Sequence, residues 1–141
     1  MSNMKRPGQE RYLKRNQVEL VKSGEEFIAR QEEIIAKAVR EIHIQSYIFE
    51  PDETGLRIIV ALKEAALNRG VKIYILVDAY GSQNFSPFHK KSFKDAGIKF
   101  RRFGKLYSGG SFHIGRRLHQ KVIVVDGEVA MVGKSRHQAT Q

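Results

Sequence analysis

Apolar positions along the chain recur in two periods, and the switches between them lay out the elements. Residues 17–21 alternate apolar and polar side chains, a short strand candidate. Ser23-Gly24-Glu25-Glu26 follows with the S-x-x-E form of a capping box, in which hydroxyl and carboxylate each satisfy a backbone donor. Phe27, Ile28, Ile34, Ile35, Ala38 and Val39 then fall on one face of a predicted helix. Residues 42–49 are rich in β-branched and aromatic side chains and predict a buried strand. Pro51-Asp52-Glu53-Thr54-Gly55 breaks it. Residues 56–67 resume the helical period, with Gly70 placed to end the helix as a left-handed cap. Residues 71–77 predict the next strand, closing on Asp78.

Ser86-Pro87 predicts a third helix, with Ser as N-cap and Pro at the first helical position, and Gly97 ends it. Residues 98–103 read as a strand. Residues 103–117 hold Gly104, Gly109, Gly110 and Gly115, spaced too irregularly for a phosphate-cradling loop, and predict a flexible connection. Residues 119–125 are apolar on both faces. Asp126-Gly127 then gives a strong short hairpin signal before the strand 129–132. The β-α-β-α-β-α-β order predicts an α/β layered domain with a largely parallel or mixed β-sheet flanked by helices.

Charge changes this picture through its placement. The chain of 141 residues carries a formal net charge of +10. Residues 1–16 hold five Lys/Arg against one Glu, and residues 84–121 hold ten against one Asp, whereas residues 17–83 are slightly acidic. Such runs are either solvated surface or a field that concentrates a polyanion, nucleic acid or an anionic membrane. There is no Cys, so disulfides and thiolate metal sites are excluded. The longest apolar runs fall far short of a membrane span, and the polar, basic N-terminus is no signal peptide.

The strongest candidate chemistry lies at His119, Lys121 and Asp126, spaced H-x-K-x4-D. On an extended strand, residues two apart point the same way, so His119 and Lys121 share a face: a nucleophilic nitrogen beside an ammonium that can hold phosphoryl oxygens. Asp126 does not follow from that parity. It can reach another imidazole or cap the turn itself. The plain alternative is a partly exposed strand edge, with Asp126 chosen for its turn. His113 near Arg116 and Arg117 either lines a substrate mouth or is simply solvated, and Asp78 either approaches the site or caps a turn. His43, His89 and His137 lack ligand-like spacing, so no metal and no cofactor is expected.

The motif and its surroundings resemble the phospholipase D superfamily, and residues 18–133 are most similar to the N-terminal half of bacterial cardiolipin synthases. The resemblance is carried by Ile42-His43-Ile44-Gln45-Ser46-Tyr47-Ile48-Phe49, by Arg69-Gly70-Val71-Lys72-Ile73 leading to Leu76-Val77-Asp78, and by Gly81-Ser82. Arg117-Leu118-His119-Gln120-Lys121, Asp126-Gly127 and Val132-Gly133 follow in family order. It implies a phosphatidyltransferase that works without metal or cofactor through a phosphohistidine, with His119, Lys121 and Asp126 as catalytic residues. It further implies an anionic, phosphatidylglycerol-like phospholipid as partner, at the cytoplasmic side of a bacterial membrane and peripheral to it. Members pair two motifs about a pseudo-twofold axis, and this sequence holds one. Lys134 and Arg136 replace the small residue and Asn usual after Gly133. The expected architecture is therefore a phospholipase D-like half, a single truncated domain over residues 17–133, between a basic segment 1–16 and an atypical polar tail 134–141. Its missing second half, or a homodimer, would complete the site. The alternatives are a single-motif nuclease of the same superfamily that acts as a homodimer on nucleic acid, and a non-catalytic fragment.

Overall fold

The computed structural model describes residues 16–47, 49–79, 81–104, 107–108, 111–112 and 120–134. Helix α1 spans Gly24–Lys37 and starts at Ser23, whose Oγ accepts the Glu26 N–H at 3.1 Å. The return half of the expected box is displaced by one residue, because the Glu26 carboxylate accepts the Lys22 N–H at 3.1 Å. Strand β1 (Glu41–Ser46) leads to α2 (Glu53–Arg69), and β2 (Lys72–Asp78) to α3 (Pro87–Asp95) and β3 (Lys99–Phe103). Asp52 caps α2 by accepting the Gly55 N–H at 2.7 Å, and Gly70 closes that helix at φ 67°. Ser86 and Pro87 open α3 as their residue types require. Two short strands, β4 (Tyr107–Ser108) and β5 (Ser111–Phe112), pair antiparallel with each other. Strand β6 (Gln120–Val125) and β7 (Val129–Lys134) complete the main sheet.

That sheet has five strands in the order β3-β2-β1-β6-β7. Strands β1, β2 and β3 run parallel, because a helix returns the chain between them. Strand β6 is antiparallel to β1, and β7 to β6, so the sheet is mixed. This arrangement brings the C-terminal ends of β1 and β2 to the same end of the sheet as the N-terminus of β6.

One face of the sheet is covered. Ile42, Ile44, Ile73, Ile75, Val77, Ile123 and Val125 pack there against Ile35 of α1, Ile58, Ile59 and Leu62 of α2, and Phe93 of α3. The opposite face is open among the described residues. On it His43 stacks on Tyr74 with ring centroids 4.8 Å apart, and the Lys99 ammonium lies 5.4 Å from the Tyr74 centroid.

Four expectations need correction. Residues 17–21 form no strand, and Val18 and Leu20 are exposed. Strand β1 is buried on one face only, since His43 and Gln45 alternate outward from Ile42 and Ile44. Val39 lies past the end of α1 and is exposed, leaving Ile35 and Ala38 as the buried members of that face. Within the glycine-rich stretch, β4 and β5 form an ordered pair where only a loop was expected. The rest of that stretch with His113, Arg116 and Arg117, the segment 1–15, and the tail 135–141 with Arg136 and His137 lie outside the described residues.

Candidate functional site

Lys121 is the second residue of β6, and its backbone pairs with Gly133 of β7. Strand parity places its side chain in one row with Ile123 and Val125, on the helix-covered face. The row runs out of core before it reaches Lys121, because α1 begins above it. The first apolar residue of α1, Phe27, fills that space: the Lys121 Nζ lies 5.7 Å from its ring centroid. Gly133 is what admits the ring. A Cβ built there would come within 3.1 Å of Phe27 Cε2 and Cζ.

A cavity of about 1100 Å³ opens beside this pair, lined by Phe27, Gln31, Phe49, Asp52, Ile58 and Lys121 among others. Burial pushes the Lys121 ammonium below the ordinary lysine value, and the Asp52 carboxylate partly offsets that effect. No carboxylate lies within ion-pair distance of Lys121 among the described residues. A half-buried cation facing open volume without a paired anion is the arrangement an anionic ligand requires.

The loops around the cavity are tied together by polar groups at the ends of β1 and β2. The Ser82 hydroxyl donates to the Tyr47 carbonyl at 3.1 Å and accepts the Phe49 N–H at 3.0 Å. Asp78 is fully buried, and its carboxylate accepts the Gly81 N–H at 3.3 Å, which makes it a turn residue.

Asp126 stands at the other end of β6. Four residues separate it from Lys121, five steps of extended strand or about 16 Å. Its carboxylate accepts three backbone N–H groups, from Val39 at 2.9 Å, Arg40 at 2.7 Å and Glu41 at 2.9 Å. Its own N–H donates to the Glu41 carbonyl at 2.9 Å, and its carbonyl accepts from the Arg40 guanidinium at 2.6 Å. The backbone donors of Glu41 and Val39, ahead of the other contributions, hold its carboxyl below the usual aspartate value. It does so at φ 54°, in the left-handed region, where Asp is among the few side chains tolerated.

Of the three motif residues, the fold thus puts Lys121 in the cavity and Asp126 in a turn, while His119 lies outside the described residues. Sequence reasoning missed Phe27, Gln31 and Asp52 as neighbours of Lys121. For Gln31 a signal existed: it sits four residues from both Phe27 and Ile35, a polar side chain within an apolar helical row. Among the described residues no three His, Asp or Glu side chains group as metal ligands. No helix among them is long and apolar enough to cross a membrane.

Comparison with known proteins converges on one family. Residues 32–135 match the family described as cardiolipin synthase, PLD-like domain. Cardiolipin synthase B of Salmonella typhi is 35% identical over 126 residues, which cover 88% of this chain and 30% of that protein. Cardiolipin synthase 1 of Bacillus anthracis is 31% identical over 120 residues, 84% of this chain and 23% of the relative. The chain therefore spans about a third or less of the length of these relatives. Among solved structures, the phospholipase D family member Nuc from Salmonella typhimurium superposes with a TM-score of 0.50 at 25% identity, covering 70% of this chain and 56% of Nuc. NucT from Helicobacter pylori shares the fold with a TM-score of 0.52 at 22% identity, over 73% of this chain and 62% of its own. The chain belongs to the PLD-like domains of the cardiolipin synthase family.

Proposed function

We propose that this domain supplies one half of a phosphatidyltransferase site of cardiolipin synthase type, with His119, Lys121 and Asp126 as its motif residues. The observation that carries the reading is the Lys121 ammonium, without an ion-pair partner among the described residues and held half-buried against a cavity large enough for a phosphodiester headgroup. His119 attacks the phosphorus of a phosphatidylglycerol-like lipid, and the bond from phosphorus to the headgroup oxygen breaks. A second imidazole gives its proton to that oxygen, so glycerol leaves and a phosphohistidine remains. The hydroxyl of a second lipid then loses its proton to the same imidazole and attacks the phosphorus, freeing His119. Lys121 neutralises the phosphoryl oxygens in both steps. The second imidazole comes from a second motif or a second copy of the domain. Asp126 serves this chemistry from a distance, by fixing β6 to the start of β1.

The basic run near the motif suits a peripheral position at an anionic, cytoplasmic membrane face. Lys90, Lys94, Lys99 and Arg101 line a surface hollow of about 390 Å³ that adds to this field. The test is incubation of the chain, alone and with an equal amount of the Lys121→Met variant to permit mixed pairs, with phosphatidylglycerol vesicles and with single- and double-stranded DNA. Glycerol release and the diphosphatidyl product are followed by mass spectrometry, with His119→Ala as control. Glycerol release that the control abolishes supports the proposal. Cleavage of DNA with no change in lipid would replace it with the nuclease reading.

A further inference from the structure

Gln31 is the one fully buried polar side chain on the core-facing row of α1, and its Oε1 has no hydrogen-bond partner among the described residues. Its neighbours along the row are Phe27, over Lys121, and Ile35, in the core. It lines the same cavity as Lys121. An apolar residue would complete the row at no such cost, since a buried acceptor left without a donor loses its hydration for nothing. A ligand that brings a donor to this oxygen would remove that cost.

The chemistry of that donor can be narrowed. Phosphoryl oxygens are acceptors and would be repelled by Oε1, so the phosphate itself is not its partner. Acyl chains carry no donor at all. A cationic amine headgroup could donate too, but it would be drawn to the Glu50 or Asp52 carboxylate that lines the same cavity rather than to a neutral oxygen. A neutral hydroxyl attached close to a phosphodiester meets every condition: its anion suits Lys121 and its O–H suits Gln31.

We propose that Gln31 Oε1 accepts a hydrogen bond from a headgroup hydroxyl of the lipid whose phosphodiester Lys121 holds, and so selects polyol headgroups over hydroxyl-free ones. The proposal rests on the phosphatidyltransferase reading above and adds a specificity-determining residue to it. Gln31 takes no part in bond making; it decides which alcohol is held beside the phosphorus.

Two short-chain lipids separate the terms. Dihexanoyl phosphatidylglycerol and dihexanoyl phosphatidylethanol carry the same acyl chains and the same anion, but only the first has headgroup hydroxyls. Binding of each to the wild-type chain, to Gln31→Met and to Lys121→Met is measured by calorimetry, and the Gln31 side-chain amide is followed by NMR in the wild type. Wild type should bind the glycerol lipid about tenfold more tightly, the worth of one buried neutral hydrogen bond. Gln31→Met should bind both lipids alike, at the wild-type affinity for the ethanol lipid, while Lys121→Met weakens both. The Gln31 amide should shift with the glycerol lipid alone, a readout that does not depend on any variant folding. Equal wild-type affinities, or a preference retained in Gln31→Met, would overturn the role of Gln31 and leave the phospholipid reading standing. Binding of neither lipid would overturn both.

Discussion

If Gln31 is held for a ligand, the free protein bears its cost, and replacing it should stabilise the fold. The side chain is 1% exposed, and its Oε1 lacks a partner among the described residues. Desolvating such an acceptor without compensation costs about 1–3 kcal/mol in proteins. Methionine has nearly the same length and no acceptor of consequence, and it adapts its rotamers to the gap between Phe27 and Ile35. Gln31→Met should therefore recover about 1–2 kcal/mol, after some loss to imperfect packing. For a chain of this size that amounts to a rise of about 3–7 °C in Tm. Calorimetric melts of the two proteins without lipid, at one concentration and pH, measure it directly. A fall of 2 °C or more would refute the reasoning, because it would mean that the Gln31 amide is already satisfied in the folded chain. Added glycerol lipid should narrow the gap, since it stabilises only the protein that can use the bond.

The remaining predictions concern the two ends of β6. Lys121→Met should lower headgroup release by roughly 10²–10³-fold, the effect of deleting one charge-stabilising group, while the melting temperature holds or rises because a poorly solvated ammonium is gone. In the wild type that ammonium is disfavoured by burial, so its proton is lost below the ordinary lysine value of 10.5. The alkaline limb of the rate profile should fall before that pH, and fold stability should gain slightly as the proton leaves. Asp126→Asn should lower the urea midpoint at pH 7, since one of its two acceptor oxygens becomes a donor facing the N–H groups of Val39, Arg40 and Glu41. The folded-state carboxyl lies below 3.8, so its stabilisation is complete above that value and is lost as pH falls through the folded value. Midpoints at pH 7 and pH 3 should thus differ more in the wild type than in the variant. Gly133→Ala should shift the Phe27 ring by a few tenths of an ångström towards the cavity, with little change in Tm and a weakened hold on Lys121, read as reduced lipid binding.

Much of this architecture was legible in the sequence because local chemistry dictates it. Ser23 and Ser86 each offer a short acceptor before a helical run, and each caps one, whereas Asp52, expected only within a break, caps α2 three residues earlier than the apolar period predicts. Gly70 and the Asp126-Gly127 turn adopt the positive φ values that their residue types favour. What escaped depends on tertiary placement. Residues 17–21 have strand-like alternation, but they pair in no ladder. The side-chain count between Lys121 and Asp126 was readable, but the sequence does not say what surrounds either one. Phe27 reads as core because it is aromatic and in period, although its ring ends up over a cation. Gln31 escapes notice because a single polar residue in an apolar row looks like noise until its burial is seen.

The spacing of the motif itself then takes on a physical meaning. H-x-K-x4-D reads as a cluster in the sequence, yet the four residues between Lys121 and Asp126 are those of β6 that cross the sheet, pairing with β1 on one side and β7 on the other. The strand separates two demands that cannot share one place. Under the proposed function, an ammonium meant for an exchangeable anion must not be tied up in an ion pair, and the Asp52 carboxylate that acts on Lys121 stays outside ion-pair distance. At the far end, the carboxylate is consumed by three backbone donors and locks the β6–β7 turn to the entry of β1. That lock fixes the register in which Lys121 meets Gly133 and Phe27, because a slip of one residue would turn Lys121 to the open face of the sheet. A carboxylate can thus be indispensable to the motif without touching the reacting atoms. Its loss should appear first in stability and register, and only through them in the rate.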